Sequence, residues 1–351
     1  MKYTLIFLLI LSSDLLSQKK YDFIFTKDKI TIPNYDDSLE SKVYLYNGEI
    51  EEDFITSATP ILGKTFFQED LLHFSPIIPL GWDRIYTLVY NHSITYFKIP
   101  LPKSYNKLYV EEIYPTSSKL PSNILKWYIK FSNPINRNNV YNYLHFINAK
   151  GDTLSRAILP LENLLINKDK TLVTLWIEPG RQKRKLIPNQ LLGSVFTSGE
   201  NYRIIISKNI KDSNGVSMQK DYVKNFSIID ADRSKPNITQ WHLEHPEKES
   251  LSPLIIKCYE PLDYGSVLEN INISYKNQII RGTWELSNNE RIIQFLPKKK
   301  WKLGNYRINF NQTIEDLAGN NLSRLFDNEI DNSEDVNVTN QEHIIEFSIY
   351  E

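Results

Sequence analysis

Cysteine is almost missing from this chain: Cys258 is the only one in 351 residues. That excludes an intramolecular disulfide, so packing and strand pairing must carry stability. An excess of one charge is missing too. With 41 Lys and Arg against 42 Asp and Glu, the net charge is −1. No global field draws in nucleic acid or an anionic membrane, and no nucleic-acid partner is expected. A membrane-spanning run is also lacking. The apolar stretch from Tyr3 to Leu16 carries Asp14 and falls short of the roughly 20 residues a spanning helix needs.

That stretch follows Met1-Lys2 and precedes Ser17-Gln18, the form of a signal peptide over residues 1–17. An uncleaved anchor is the alternative. No Cys follows the run, so no bacterial lipid anchor is expected. The expectation is export to the periplasm, the surface or the medium, with no membrane span after cleavage. Catalytic signatures are absent as well: there is no G-x-S-x-G, H-E-x-x-H or G-x-x-x-x-G-K. A glycosidase needs only two carboxylates placed by its fold, but no spacing here favours a pair. A non-enzyme with no catalytic residues and no cofactor is expected.

Present instead is a repeat. Lys130-Phe131-Ser132-Asn133-Pro134 matches Lys257-Cys258-Tyr259-Glu260-Pro261, an offset of 261 − 134 = 127. Phe146 and Ile273 keep it. Leu175 to Pro179 matches Ile293 to Pro297 at 297 − 179 = 118, which gives the earlier copy about nine extra residues. Tyr202 and Tyr306 match at 104, so 14 more residues lie within Gly180 to Glu200. Asp212/Asp316 and Gly215/Gly319 hold 104, while Phe226/Phe347 match at 121. Insertions that fall between matched strands are those of loops on a fixed scaffold. A degraded third copy is read in His73-Phe74-Ser75-Pro76, Gly81 and Tyr86.

Aromatics make up 12% of the chain, with 21 Tyr, and they suit half-buried pleated surfaces. Strand-length runs separated by turns point to an all-β fold of tandem immunoglobulin-like β-sandwiches. The expected domains are residues 21–103 (degenerate), 104–232 and 236–351. Asn47-Gly48 reads as a hairpin-like turn and Asn91-His92 as a possible hairpin closure. Leu161 to Asn167 reads as a short helix or a loop.

The hairpin from Tyr306 through Asp316-Leu317-Ala318-Gly319-Asn320 to Leu322 resembles bacterial immunoglobulin-like domains of the S-layer (SbsA) type. The earlier copy keeps Asp212, Asn214 and Gly215 but has Val216 where Asn is expected. The pattern from Leu120 through Pro134 to Arg181 is similar to that of exported bacterial proteins of unassigned function. The resemblance covers about two-thirds of the chain. It implies the fold and says little of function, since such modules serve as spacers, adhesins and enzyme accessories.

Four groups are candidate sites. The turns Asp212–Gly215 and Asp316–Asn320 read as structural: Asp accepts backbone N–H bonds and Gly takes the left-handed position. Calcium at Asp316 or at the acidic stretch 327–335 is a weak alternative. His242, Glu244 and His245 suggest a metal, but on a strand His245 faces away from the other two. The basic insertion offers Arg181, Lys183, Arg184 and Lys185 as ligand-binding residues for sulfate, phosphate or uronic-acid groups, with Trp176 as a stacking surface or a core residue. A solvated hairpin tip is the alternative there. The expected function is an envelope spacer, scaffold or adhesion module with an unidentified protein or polysaccharide partner. The second expectation is a carbohydrate-binding accessory protein using insertion 180–200.

Overall fold

The computed structural model describes residues 21–33, 42–327 and 343–350. The expected signal peptide and all but Asp327 of the acidic stretch 327–335 lie outside them. The fold is all-β, in tandem immunoglobulin-like sandwiches. Contacts divide the chain into two compact units, Met1–Asn106 and Lys107–Glu351. Among the described residues, no helix is long and apolar enough to cross a membrane.

Among the described residues, the first unit is a sandwich of seven strands. One sheet orders Ile24–Phe25, Ile30–Ile32, Leu71–Pro76 and Gly63–Gln68; the other orders Val43–Asn47, Ile85–Tyr90 and Ser93–Lys98. Leu45, Leu72, Phe74 and Leu88 fill the space between, as alternation along a pleated strand requires. Asn91 and His92 both take positive φ, 46° and 65°, and close the hairpin between the last two strands. Asn47-Gly48 does not close one. Val43–Asn47 pairs with Ile85–Tyr90, and Gly48 N–H donates to Ile85 O at 2.9 Å. The glycine ends the strand and lets the chain leave the sheet.

The second unit holds two sandwiches built alike. In the earlier one, Leu165–Ile166, Leu172–Trp176, Lys126–Phe131 and Val110–Tyr114 form one sheet; Leu144–Asn148, Asn201–Ile206, Tyr222–Ile229 and Lys119–Pro121 form the other. In the later one, His242–Glu244, Leu254–Lys257, Ile292–Pro297 and Gly282–Ser287 face Gln278–Ile279, Ile271–Tyr275, Gly304–Phe310 and His343–Ile349. Strand register supports the sequence offsets. Phe146 pairs Ile204 as Ile273 pairs Ile308, and Tyr202 pairs Phe226 as Tyr306 pairs Phe347. One offset is corrected. Phe131 N–H donates to Thr171 O, and Cys258 N–H to Arg291 O. That strand pair therefore matches at 291 − 171 = 120, and the surplus is 127 − 120 = 7 residues. The proline match slipped by two residues. Such a slip leaves every side chain on its own face, so alternation could not reveal it. The segment read as helix or loop at Leu161 to Asn167 contributes the strand Leu165–Ile166.

A tyrosine marks the same place in all three copies. Tyr86, Tyr202 and Tyr306 each pair with a phenylalanine, Phe97, Phe226 and Phe347. Each hydroxyl accepts a backbone N–H from a few residues upstream: Gly81 at 2.7 Å, Thr197 at 3.2 Å and Lys302 at 2.8 Å. The ring packs in the core while its polar tip fixes the entering loop.

Candidate functional site

Both D-x-x-G turns have the same construction. Asp212 Oδ1 accepts from Asn214 N and Val216 N, each at 2.9 Å. Asp316 Oδ1 accepts from Ala318 N at 2.8 Å and Asn320 N at 2.9 Å. Gly215 and Gly319 lie at φ 82° and 78°. In the later turn Asn320 Nδ2 donates to Asp316 Oδ2 at 2.8 Å. Burial pushes the Asp316 carboxyl up to about 8, against the hydrogen bonds from Asn320 and Ala318. Its oxygens are engaged by its own turn.

This later turn has a second role. Leu317 packs into the hydrophobic core of the preceding sandwich, and its carbonyl accepts the Leu125 N–H at 3.0 Å. Around it lies a joint of buried and half-buried polar groups. Lys126 Nζ sits 2.5 Å from Glu315 Oε2 and 3.7 Å from Asp263 Oδ1. Tyr128 donates its hydroxyl to Asp263 Oδ1 at 2.7 Å. Thr116 donates N–H and O–H to Glu290 Oε1 at 2.9 and 2.7 Å. Lys224 Nζ caps the Thr116 carbonyl at 2.7 Å. Tyr114 stacks on Tyr264 with centroids 3.7 Å apart. Burial raises the carboxyls of Asp263, Glu290 and Glu315 and lowers the Lys224 ammonium. Removing one partner of a buried charged pair costs about 3–5 kcal/mol, because the other charge stays buried. Glu290 Oε2 has no hydrogen-bond partner among the described residues.

The basic insertion closes one side of the same joint. It forms two short helices, Pro179–Gln182 and Ile187–Leu192, in place of the hairpin tip read as the alternative. Arg181 is corrected from surface ligand to buried brace, at 8% exposure. Its guanidinium donates to the carbonyls of Gly193, Ser155, Leu192 and Ser194 at 3.0, 2.9, 3.2 and 2.8 Å. Burial pushes that guanidinium below its ordinary value, Arg156 adding to the effect. Charge runs look alike in sequence whether they are solvated or not, so this inward turn had no signal. Arg184 N–H and Nε donate to Asp327 at 2.9 and 2.5 Å, and Lys183 Nζ lies 4.6 Å from the Phe326 ring centre. Lys185 is exposed on the same segment. The structure thus gathers Lys183, Arg184 and Lys185 beside the Asp316 turn and withdraws Arg181 from them. Trp176 is half-buried, with Lys126 Nζ 4.8 Å over its ring.

The histidines do not converge. His242 and Glu244 lie on one strand, Glu244 pairs with Lys257, and the His245 ring packs 5.5 Å from Phe347. Among the described residues, no three His, Cys, Asp or Glu side chains could hold a metal ion. Cys258 is buried, and burial pushes its thiol up. Sequence reasoning missed Glu290, Asp263 and Glu315; the two glutamates lie in polar turns and Asp263 caps the short helix Tyr264–Asn270, and only the neighbouring sandwich makes them special.

No family model matches the chain, and no curated protein matches it. Several solved structures are similar. Surface layer protein SbsC, domains 1-6, is 9% identical with a TM-score of 0.28, over 71% of this chain and 26% of that one. Native alpha-2-macroglobulin from Escherichia coli, domains MG0-NIE-MG1, is 13% identical with a TM-score of 0.23, over 59% and 67%. The chicken CNTN1 FN1-FN3 domains are 11% identical with a TM-score of 0.19, over 94% and 98%. These scores are low, and the architecture above rests on the chain's own sheets.

Proposed function

We propose that the chain is an exported, non-enzymatic envelope protein of the immunoglobulin-like S-layer type, acting as a spacer, scaffold or adhesion module. The carrying observation is the joint. Two sandwiches that share Leu317, a half-buried Lys126–Glu315 pair and the Thr116–Glu290 bonds are coupled as one body, which suits holding a partner at a fixed distance. A flexible tether would instead show few contacts across its domain boundary. The partner is an envelope protein or polysaccharide. Binding of acidic polysaccharide through the insertion is the second reading, now narrowed to Lys183, Arg184 and Lys185.

The test is a pull-down from native cell envelopes with the chain from Gln18 as bait, with and without EDTA. A retained protein or polysaccharide is expected. Turnover of an envelope glycan by the purified chain, lost on mutating a carboxylate pair, would overturn the non-enzymatic reading. For the second reading, neutralising Lys183, Arg184 and Lys185 together must remove salt-sensitive retention on acidic polysaccharide.

A further inference from the structure

The last sandwich has a cleft of about 270 Å³ where the chain crosses between its two sheets. The hairpin Ile271–Tyr275 and Gln278–Ile279 belongs to one sheet and Gly282–Ser287 to the other, so Ile280 and Arg281 make the crossing. The floor is apolar: Ile271, Ile273 and Phe295 from the core, with half-buried Ile280 and Trp284 as walls. The Trp284 ring stands 4.7 Å from Phe295. Gly282 is required at the crossing, since a Cβ there would come 2.3 Å from the Phe295 ring.

Two cations border this apolar surface. Arg281 and Lys298 both line the cleft and are exposed; Lys298 N–H donates to Arg281 O at 2.9 Å, which fixes the two positions side by side. Among the described residues, neither has a carboxylate partner, and no acidic residue lines the cleft. The one amide in the lining, Asn272, already accepts from Asn309 Nδ2 at 2.9 Å. A sugar brings several hydroxyls that each need an acceptor as well as a donor, and the side chains of this lining supply donors but, beyond Asn272 Oδ1, no acceptor. An apolar body with one anionic end fits both halves of the lining, by dispersion and burial on one side and charge on the other. The volume lies just under the ~300 Å³ at which drug-sized sites begin, so the ligand is small.

We propose that this cleft binds a small carboxylate with an aliphatic or aromatic body, its carboxylate held by Arg281 and Lys298 and its body against Trp284 and Ile280. The site is separate from the inter-sandwich joint and from the basic insertion. It does not depend on the envelope reading.

Octanoate and octanol, titrated against the full chain by calorimetry, serve as probes. Saturable octanoate binding is expected, with octanol about tenfold weaker, or about 1.4 kcal/mol. The double variant Arg281→Glu/Lys298→Glu is expected to lose that preference with no change in Tm, since both side chains are exposed. Should it fail to fold, Arg281→Gln/Lys298→Gln carries the same comparison. The proposal is overturned if octanoate does not saturate, if octanol binds equally, or if charge removal leaves octanoate affinity unchanged.

Discussion

The Leu125 N–H donates to the Leu317 carbonyl at 3.0 Å, and the Leu125 side chain lies over Gly319 of the same turn. A Cβ on Gly319 would meet Leu125 Cδ1 at 2.3 Å. One backbone bond and one close approach thus bring the D-x-x-G turn of the last sandwich onto the entry to its neighbour's central strand Lys126–Phe131.

Gly319→Ala meets two costs: the φ of 78° and the clash. A loss of about 2–4 kcal/mol is expected by chemical denaturation. Gly151→Ala is the control. Its φ is 95° with nothing within 4 Å of the added Cβ, so about 1 kcal/mol is expected. Equal losses would mean that the close approach to Leu125 has no weight.

Arg181→Met leaves the carbonyls of Ser155, Leu192, Gly193 and Ser194 without their charged donor. A loss of about 1.5–3 kcal/mol is expected in denaturant titration. Lys183→Met and Lys185→Met, on the exposed part of the same segment, are expected to change stability by under about 1 kcal/mol. A neutral Arg181→Met would restore the surface-ligand reading of that residue.

Joint residues are expected to couple. Tyr128→Phe removes the hydroxyl donated to buried Asp263, at a cost of about 1.5–3 kcal/mol. Combined with Lys126→Met, the loss is expected to fall short of the sum, since both side chains meet Asp263. Calorimetry of the wild type is expected to show the two sandwiches melting together, and the double variant to separate them.

The acidic groups set a pH dependence. Asp316, at about 8 in the fold, keeps a proton that the unfolded chain loses near pH 4. The folded state therefore binds more protons between those values, and stability falls as pH rises from about 4 to 8, then levels. Asp263, Glu290 and Glu315 are raised by burial too and act in the same direction. Asp316→Asn is expected to flatten this slope, measured as unfolding free energy against pH. An unchanged slope would exclude Asp316 as a contributor.

Much of the fold was legible because its signals are local. The tyrosine before each D-x-x-G turn, the apolar alternation and the tolerance of loops for insertion are written in consecutive residues. The two-residue slip at Pro179/Pro297 passed unseen because a strand repeats every two residues and alternation cannot distinguish the registers. The basic run shows a different limit. Arg181 and Lys185 are both cations four residues apart, yet one is enclosed by carbonyls of residues 155 and 192–194 and the other is exposed.

What the sequence determined alone is the architecture: three copies of one strand pattern, with turns whose Asp and Gly are set by backbone geometry. What only the tertiary structure decided is how the last two copies become one body. Leu317, Gly319, Asp263, Glu290 and Glu315 are ordinary within their own turns. Their burial and partners come from a surface more than a hundred residues away in the chain, and desolvation is a property of that meeting.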